Sequence, residues 1–248
     1  TNRKKLMADS LPANPILLQD ILLFRDLSSL ERKEIAHYLQ VRHYSKNQPI
    51  LARHDIGGDV HFISKGRVRV TSFSRSGREA SYNEKEVGEL FGELSAIDGQ
   101  SRAADVIALE DATTLHMSKA DFLSVLNTYP SVNRRLLQAL ASNVRNLTDR
   151  VFEFTAMGVP SRIRSELHRL GMQQLEKTYP EEAPFDKSEK SVLLNPAPKH
   201  AELASRVSTT REAVTREINV MIDTGLLEKN GPQKLLITDL RALAESLL

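Results

Sequence analysis

Four polar residues near the C-terminus have the types and spacing suited to reading DNA bases. Arg211, Glu212, Thr215 and Arg216 fall on one sector of a predicted helix. Arginine can form a bidentate bond to guanine and glutamate can accept from a cytosine amine, and each good pair contributes roughly 1–3 kcal/mol of base discrimination. A solvated helix face with local ion pairs is the alternative interpretation. The segments on either side favour the base-reading interpretation, because such a motif needs its structural context.

Those segments predict a helix-turn-helix. Residues 200–207 have the spacing of a short helix, Ser208 and Thr209 form the turn, and Thr210 can cap the next helix. That helix has an inward stripe of Val214, Ile218 and Met221 or Ile222, and residues 227–239 then predict a hairpin turning at Asn230-Gly231. We expect the start of the second helix to enter the major groove of DNA. The predicted DNA-facing residues are Lys199, His200, Thr209, Thr210, Arg211, Glu212, Thr215 and Arg216.

A second group of residues, 91–104, is suited to holding a phosphate ester. Residues 91–97 follow a predicted strand and begin a helical turn, where Gly92 permits close backbone approach and free N–H groups attract phosphate. The fork of Arg102 suits a phosphodiester anion, and the carboxylate of Glu93 can accept from a ribose hydroxyl. Residue types alone fit equally well with a Glu93–Arg102 salt bridge that only pins the loop.

A long helix is predicted to begin near Ser131 and to carry a heptad seam. Its apolar residues recur at alternating steps of three and four, which is the pattern of a two-helix dimer interface. A helix packed on its own domain is the alternative that we consider less favoured. The seam consists of Leu137, Leu140, Val144, Leu147, Val151 and Phe154.

The middle of the chain predicts a β-domain. Short apolar runs begin near Val41 and are separated by turn signals such as Gly57-Gly58 and Lys65-Gly66, which is typical of a sandwich, jelly roll or barrel. Residues 62–70 have the best pattern for a hairpin. Residues 16–40 have helical spacing, and Ser118, three residues before Asp121, can cap a helix. The expected runs of strand are residues 50–52, 60–63, 68–70, 80–82, 106–108 and 112–117.

These patterns divide the chain into four parts. We expect a flexible tail over residues 1–15, the β-domain over 16–130, the long helix over 131–157 and the helix-turn-helix domain over 158–248. Gly158-Val159-Pro160 breaks the helix at the last boundary. Residues 178–190 are polar and contain prolines, which indicates an exposed loop.

Composition narrows the function classes. The 248 residues carry a net charge of +2, and basic and acidic residues balance over 199–248, so a DNA footprint must come from placement. No apolar run is long enough for a bilayer and no secretory signal is evident, so we expect a cytoplasmic protein without a membrane partner. The absence of cysteine excludes disulfides and a cysteine-held zinc or iron–sulfur site.

An enzyme is the main alternative from another class. The chain has no G-x-S-x-G motif, Walker loop or dinucleotide fingerprint. His54, Asp55, Asp59 and His61 crowd one stretch, but no helical histidine pair completes a metal set. We therefore expect no catalytic residues, no metal and no catalytic cofactor.

The motifs occur in an order that resembles the bacterial catabolite-activator / fumarate-nitrate-regulator superfamily. The matching pieces are residues 62–66, the 91–94 cassette with Arg102, the long helix, and residues 210–212 with Arg216. The resemblance covers the chain from about Phe24 to the C-terminus, and the Glu93/Arg102 pair looks like the cyclic-AMP-responsive branch. It implies an α+β fold with a β-roll or jelly-roll cyclic-nucleotide-binding domain, a dimerisation helix and a C-terminal winged helix-turn-helix.

The resemblance also implies roles. Glu93 is expected on the ribose 2′-hydroxyl and Arg102 on the cyclic phosphate, while Arg211, Glu212 and Arg216 are expected on base edges with Thr210 near a phosphate. The function expected is a dimeric transcription regulator whose binding to a palindromic promoter responds to cyclic AMP, with RNA polymerase as a further partner. The predicted ligand-binding residues are Gly92, Glu93, Leu94, Ser95, Arg102, Ala103, Leu147 and Thr148.

Two departures from the family pattern leave the effector open. Ala103 stands where many bacterial relatives have serine or threonine, and Leu147-Thr148 stands where two hydroxyl residues face the adenine. We therefore expect looser base discrimination that admits cyclic GMP or isomeric cyclic nucleotides. Relatives also sense gases or metabolites; the lack of cysteine excludes the cysteine-ligated cluster, while a histidine-held haem and, less favoured, a cyclic-nucleotide-processing enzyme stay as alternatives.

Overall fold

A computed structural model describes residues 14–73, 79–179 and 190–247. The chain divides into two compact units, Thr1–Val144 and Arg145–Leu248. Most of the predicted tail, residues 1–13, and most of the predicted loop, residues 180–189, lie outside the described residues. Among the described helices, none is long and apolar enough to cross a membrane.

Short helical elements open the first unit. Two 3-10 turns, Pro15–Leu18 and Leu22–Phe24, precede helix α1, Ser29–Ala36. Ser28 caps α1, because its hydroxyl accepts from the Glu31 N–H while the Glu31 carboxylate accepts from the Ser28 N–H. The helical spacing predicted over residues 16–40 therefore holds only in short pieces, and its last residues enter a sheet instead.

The first unit contains two antiparallel four-stranded sheets. The first sheet runs in the order Leu39–Tyr44 (β1), Ala112–Met117 (β8), Val60–Lys65 (β3) and Leu90–Phe91 (β6), and the second in the order β2-β7-β4-β5 with the ranges given below. Every predicted run of strand is confirmed, whereas β1 and β6 had no clear alternating pattern. The strands are β1 Leu39–Tyr44, β2 Pro49–Leu51, β3 Val60–Lys65, β4 Val68–Phe73, β5 Glu79–Lys85, β6 Leu90–Phe91, β7 Asp105–Ala108 and β8 Ala112–Met117.

The turn at Gly66 does not form the predicted hairpin. β3 pairs with β8 and β6, whereas β4 pairs with β5 and β7. Gly66 has a φ of +80°, and a Cβ there would lie 2.7 Å from the Asp111 carbonyl oxygen. The hairpin prediction over residues 62–70 is wrong, because this tight turn carries the chain from one sheet to the other. A turn signal such as Lys65-Gly66 predicts that the chain bends there, but it does not predict which strands pair with each other.

Alternation along the strands gives the first sheet two different faces. One face packs on the helices, where Phe62 and Leu115 contact a core that includes Phe24 and Phe122. The opposite face carries His61, which lies opposite His116 in the pairing of β3 with β8. A separate small core on that side is formed by Ile63, Val68, Phe91 and Val106.

Three helices complete the description of the first unit. α2 spans Glu93–Asp98 and α3 spans Lys119–Thr128. Ser118 caps α3 as predicted, since its Oγ accepts from the Asp121 N–H at 3.2 Å and donates to the Asp121 carboxylate at 2.6 Å. The long helix α4 spans Pro130–Ala156, and the boundary between the two units falls inside it.

The second unit has a helical core with a small sheet. α5, Val159–Thr178, begins directly after Gly158 with Pro160 in its first turn. α6, His200–Arg206, and α7, Arg211–Asp223, form the predicted helix-turn-helix, and α8, Leu240–Glu245, closes the chain. One core joins these elements through buried residues such as Ile163, Leu203, Val214, Ile218 and Leu240.

The predicted C-terminal hairpin is confirmed and gains a third strand. β10, Leu227–Lys229, pairs with β11, Leu235–Ile237, and the turn passes Gly231 at a φ of +97°. β9, Val192–Leu194, pairs with the other edge of β11. The resulting order β10-β11-β9 gives the helix-turn-helix a three-stranded wing.

Candidate functional site

The Gly92 turn and Arg102 form a compact cradle in the first unit. Gly92 has a φ of +85° and caps the N-terminus of α2. Nη1 of Arg102 donates to the Gly92 carbonyl at 2.8 Å, and Nη2 donates to the Asp59 carbonyl at 2.9 Å. A Cβ at Gly92 would lie 2.8 Å from the Asp59 carbonyl oxygen and 2.9 Å from Nη1. The cradle therefore requires glycine at this position.

The loop of residues 52–59 forms the other wall of the cradle. The His54 N–H donates to the Arg102 carbonyl at 2.9 Å, and the Arg102 N–H donates to the Asp55 carbonyl at 3.0 Å. The backbone of Gly57 lies against the guanidinium, since a Cβ there would lie 3.5 Å from Nη2. Arg102 is thus held by main-chain contacts from a segment more than forty residues earlier in the sequence.

Glu93 and Arg102 are both buried but do not form a salt bridge with each other. They are 8% and 5% exposed. Burial raises the pKa of Glu93, and burial lowers the pKa of Arg102. Within the described residues, Arg102 bonds to main-chain carbonyls, so the alternative of a Glu93–Arg102 salt bridge that pins the loop is not what is found. The cradle holds two desolvated charges of opposite sign, as an anion and a hydroxyl donor would require.

A row of side chains runs from the cradle along the first sheet. The Asp59 carboxylate lies 3.0 Å from Nε2 of His116, whose ring meets that of His61 edge-on with centroids 5.1 Å apart. His61 stacks on Phe91 at 4.9 Å, and its Nδ1 lies 3.2 Å from the Thr114 hydroxyl. Burial lowers the pKa of both histidines.

The other predicted ligand-binding residues have different surroundings. Ser95 is buried, whereas Leu94 and Ala103 are exposed. Leu147 and Thr148 lie on α4 in the second unit and are both exposed. Their role toward a base stays a prediction.

Sequence reasoning missed Gly57, Asp59 and His116 as parts of the cradle. The signals were present, because Gly57-Gly58 was recognised as a turn and Asp59 belonged to a cluster that was weighed as a metal site. Across the part of the chain that the structure describes, no group of three metal-ligating side chains comes together. Asp59 instead binds Arg102 through its carbonyl and His116 through its carboxylate.

The second candidate surface is the outer face of α7. Val214, Ile218 and Met221 are buried as predicted, while Arg211, Glu212 and Arg216 are exposed. Thr210 caps the helix, with its hydroxyl 3.3 Å from the Ala213 N–H. A hydrogen bond from its own backbone N–H and another from the Thr210 hydroxyl lower the pKa of Glu212. A glutamate kept ionised in this way is suited to accept from a base amine.

Two predicted DNA-facing residues also bind each other. The Thr215 hydroxyl donates to the Arg211 carbonyl at 2.9 Å, and Nδ1 of His200 lies 2.8 Å from the Thr215 hydroxyl oxygen. Because that hydroxyl donates elsewhere, the Nδ1–H of His200 is the donor in this contact. The pair fixes α6 against α7. Lys199 is the N-cap of α6, and the N–H of Thr209, in the turn after α6, donates to the Ala204 carbonyl at 2.9 Å.

We call the exposed side of α7 with Arg211, Thr215 and Arg216 the reading face. This exposed side continues along the helix past the residues that were predicted. Asn219 is exposed and lies with Arg211, Thr215 and Arg216 around one surface depression. The spacing of four residues from Thr215 could have revealed it. Asparagine, like glutamine, can pair bidentately with adenine.

The predicted seam of α4 is mostly uncovered in a single chain. Leu137, Val144, Leu147, Val151 and Phe154 are 40–63% exposed, and Leu140 is half-buried against the first core. The N-terminal turns of α4 do pack on their own unit, through the buried Val132 and Leu136. An apolar stripe of this length on one helix is a surface that another chain can cover.

Comparisons with known proteins match both halves of the chain. The family model of the cyclic nucleotide-binding domain matches residues 41–129, and that of the Crp-like helix-turn-helix domain matches residues 161–246. The cyclic AMP receptor protein of Thermus thermophilus is 26% identical over 223 residues, which cover 90% of this chain and 95% of that protein.

Two solved structures show the same fold. A CooA mutant from Carboxydothermus hydrogenoformans has a TM-score of 0.70 at 21% identity and covers 92% of this chain and 96% of its own. The c-di-GMP responsive global regulator CLP from Xanthomonas campestris has a TM-score of 0.65 at 18% identity, with coverage of 84% and 97%. The two domain matches confirm the α+β architecture, the winged helix-turn-helix and a regulator rather than an enzyme. The chain is thus a Crp-like transcription regulator in which a cyclic nucleotide-binding domain precedes a Crp-like helix-turn-helix domain.

Proposed function

We propose that this regulator is a homodimer whose binding to a palindromic DNA site is controlled by cyclic AMP. The observation that carries the proposal is the cradle, where Glu93 and Arg102 bury opposite charges beside the Gly92 turn. An arginine fork fits the two free oxygens of a cyclic phosphate, and a carboxylate accepts from a ribose hydroxyl. The family relationship to a protein named for cyclic AMP supports this effector.

Several effectors share this chemistry. Every ribose 3′,5′-cyclic phosphate presents the same anion and hydroxyl, so the cradle alone does not select the base. Ala103 offers no side-chain hydrogen bond, and of the pair Leu147-Thr148 only Thr148 carries a hydroxyl. We therefore propose loose base selection that admits cyclic GMP. The relative CLP is described as c-di-GMP responsive, which makes that dinucleotide a further candidate.

The dimer and its DNA site follow from the two exposed surfaces. The apolar stripe of α4 supplies a two-fold interface, and each partner then presents one α7 reading face. Reading helices of such dimers enter successive major grooves about 34–36 Å apart, so a palindrome with this half-site spacing is expected. Ligand can shift the dimer only if one arrangement of it binds the ligand more tightly. In the cytoplasm, where its DNA lies, the bound dimer would contact RNA polymerase.

The test is DNA binding by the full chain with and without nucleotide. A palindrome selected from a random library is titrated by fluorescence anisotropy in the presence of cyclic AMP, cyclic GMP, c-di-GMP or no nucleotide. We expect cyclic AMP to raise the affinity of the wild type and to have no effect on Arg102→Ala. Arg211→Ala should keep nucleotide binding but lose preference for the selected site.

The outcomes separate the parts of the proposal. DNA affinity that is equal with and without every nucleotide would refute control by a cyclic nucleotide. If only c-di-GMP raised the DNA affinity, c-di-GMP and not cyclic AMP would be the effector. A visible haem spectrum in the purified protein would favour a gas sensor on the same fold. Unchanged nucleotide after long incubation is expected of a receptor, whereas turnover would indicate an enzyme.

A further inference from the structure

We propose that Asp59 and His116 form a positioning pair for Arg102, so that His116 controls how tightly the cradle holds a phosphate ester. The inference rests on the proposed function, because Arg102 is taken as the anion-binding group. His116 does not touch the ligand in this scheme. It acts through Asp59, whose main-chain carbonyl holds the guanidinium.

Asp59 is the point where the two contacts meet. Its carboxylate accepts from Nε2–H of His116 at 3.0 Å, and its carbonyl accepts from Nη2 of Arg102 at 2.9 Å. Asp59 follows Gly57-Gly58, so the backbone before it has wide conformational freedom. Its side chain is 51% exposed and is therefore held by the bond to His116 rather than by packing. Loss of that bond would free the peptide that carries the carbonyl.

The same row of rings also reaches the second carbonyl of the cradle. His116 meets His61 edge-on at 5.1 Å, and His61 stacks on Phe91 with ring planes 1° apart. Phe91 directly precedes Gly92, whose carbonyl accepts from Nη1 of Arg102. Both acceptors of the guanidinium are thus tied to the histidine pair, one through Asp59 and one through Phe91. These two links therefore fix the direction in which the guanidinium of Arg102 points.

The charges around His116 also couple the binding of a phosphate ester to the protonation of this histidine. Burial lowers the pKa of His116 most, the bond to Asp59 opposes this, and the positive charges of Arg42 and Arg102 lower the pKa further. His61, whose ring meets that of His116, also has a pKa well below its ordinary value, mainly through burial. A phosphate ester on Arg102 would offset one of these positive charges and so raise the pKa of His116. Ligand binding would then take up a proton and strengthen as pH falls.

The experiment compares three variants of the full chain by titration calorimetry with cyclic AMP at pH 6, 7 and 8. His116→Leu removes the donor, and we expect affinity to fall about tenfold, the upper range for one hydrogen bond. His116→Gln keeps an N–H near the position of Nε2, so affinity at pH 8 should stay within about threefold. His43→Leu is the matched control, since His43 lies exposed on the same sheet and its Nδ1 lies 3.1 Å from the Thr113 hydroxyl.

The pH profile distinguishes positioning from a general packing role. Wild-type affinity should rise from pH 8 to pH 6, and the rise should be smaller in His116→Gln, which cannot take up the proton. Protonation of Glu93 affects both proteins alike, so the difference between the two profiles is the readout. Equal affinity in wild type and His116→Leu, or equal pH profiles in wild type and His116→Gln, would overturn the proposal.

A ligand-free measurement keeps this inference separate from the choice of effector. In ¹⁵N spectra of the arginine side chains, His116→Leu should shift or broaden the Nε–H signal of Arg102, while His116→Gln and His43→Leu should leave it in place. An unchanged signal in His116→Leu would refute the positioning role. A chain that binds none of the nucleotides but shows this spectral change would refute the proposed effector and leave the positioning pair supported.

Discussion

The ion-pair cluster of the second unit allows a quantitative stability prediction. Glu166 on α5 is 1% exposed, forms an ion pair with Arg150 at 2.9 Å, and accepts hydrogen bonds from Arg206 at 3.1 Å and from Arg169. These arginines lie on α4, α6 and α5, so one carboxylate joins three helices. Glu166→Gln keeps the shape of the side chain and removes the charge that balances the three cations.

The expected loss follows from burial. Removing one partner of a buried ion pair costs roughly 3–5 kcal/mol. The arginines are 15–30% exposed, and Arg169 and Arg206 also contact Glu153 and Glu202. Solvent and these remaining pairs place the loss at the lower end, about 3 kcal/mol. An opening equilibrium should therefore increase on the order of 100-fold.

Hydrogen exchange measured by mass spectrometry on the full chain reports this opening by segment. Glu166→Gln should lose protection in α5, α6 and the C-terminal turns of α4, with the first unit unchanged. Glu202→Gln is the matched control, because Glu202 is 28% exposed and holds only Arg206 among the described ion pairs. Its loss should stay below about 1 kcal/mol. Equal protection in the two variants would refute the claim that burial decides the magnitude.

Four further predictions concern the other surfaces. Val144→Asp, on the exposed apolar stripe of α4, should convert a dimer to a monomer in analytical ultracentrifugation, and an unchanged sedimentation coefficient would argue against that interface. Arg211→Ala should weaken discrimination at one base pair by roughly 10- to 100-fold in competition with altered sites, as expected for a lost bidentate pair. The hydrogen bond to Glu34 raises the pKa of Tyr129 to about 12, so an ultraviolet titration should show one tyrosine that ionises late and that Glu34→Gln returns toward 10.0. Burial raises the pKa of Glu93, so its ionised carboxylate destabilises the ligand-free protein above that pKa. Glu93→Gln should therefore raise the Tm at pH 7 and weaken cyclic AMP binding. A lower Tm would contradict this sign.

The helix-turn-helix was predictable because its signals are local. Thr210 is the N-cap, the buried stripe falls at the expected residues, and the turn lies where Ser208 and Thr209 indicated it. Each of these features depends on neighbours within one or two helical turns. The heptad pattern of α4 was visible for the same reason, because an exposed apolar stripe on a helix leaves a fixed spacing in the sequence.

The β-domain was predictable in its strands and not in its pairing. Alternation and turn residues located most strands, yet Gly66 was assigned to a hairpin although it connects two sheets. Partner choice depends on packing between residues far apart in sequence, as in the pairing of His61 with His116. β6, with only Leu90 and Phe91, is too short to show alternation. Its position became clear only through its pairing with β3.

The cradle combines these two situations, and this explains why Arg102 was identified while its supports were not. The residue types of Gly92, Glu93 and Arg102 are compatible with an anion site, and the order of motifs shared with the family favoured that site over a salt bridge. The carbonyl of Asp59 comes from a distant loop, and no side-chain pattern reports which main-chain oxygen an arginine will reach. The two carbonyls engage fewer N–H groups than a guanidinium carries, so Arg102 can hold the loop and still donate to an anion.

Burial of Glu93 and Arg102 without a mutual salt bridge has an energetic consequence for regulation. Each charge is desolvated in the cradle, and neither is neutralised by the other in a direct contact. A cyclic phosphate with its ribose hydroxyl would satisfy both groups at once, so the cost of burying them becomes binding free energy. A direct salt bridge between Glu93 and Arg102 would have stabilised the ligand-free protein and made the response to ligand smaller. The reading face of α7 differs from the cradle in this respect, because its exposed arginines are solvated and lose water only when they bind DNA.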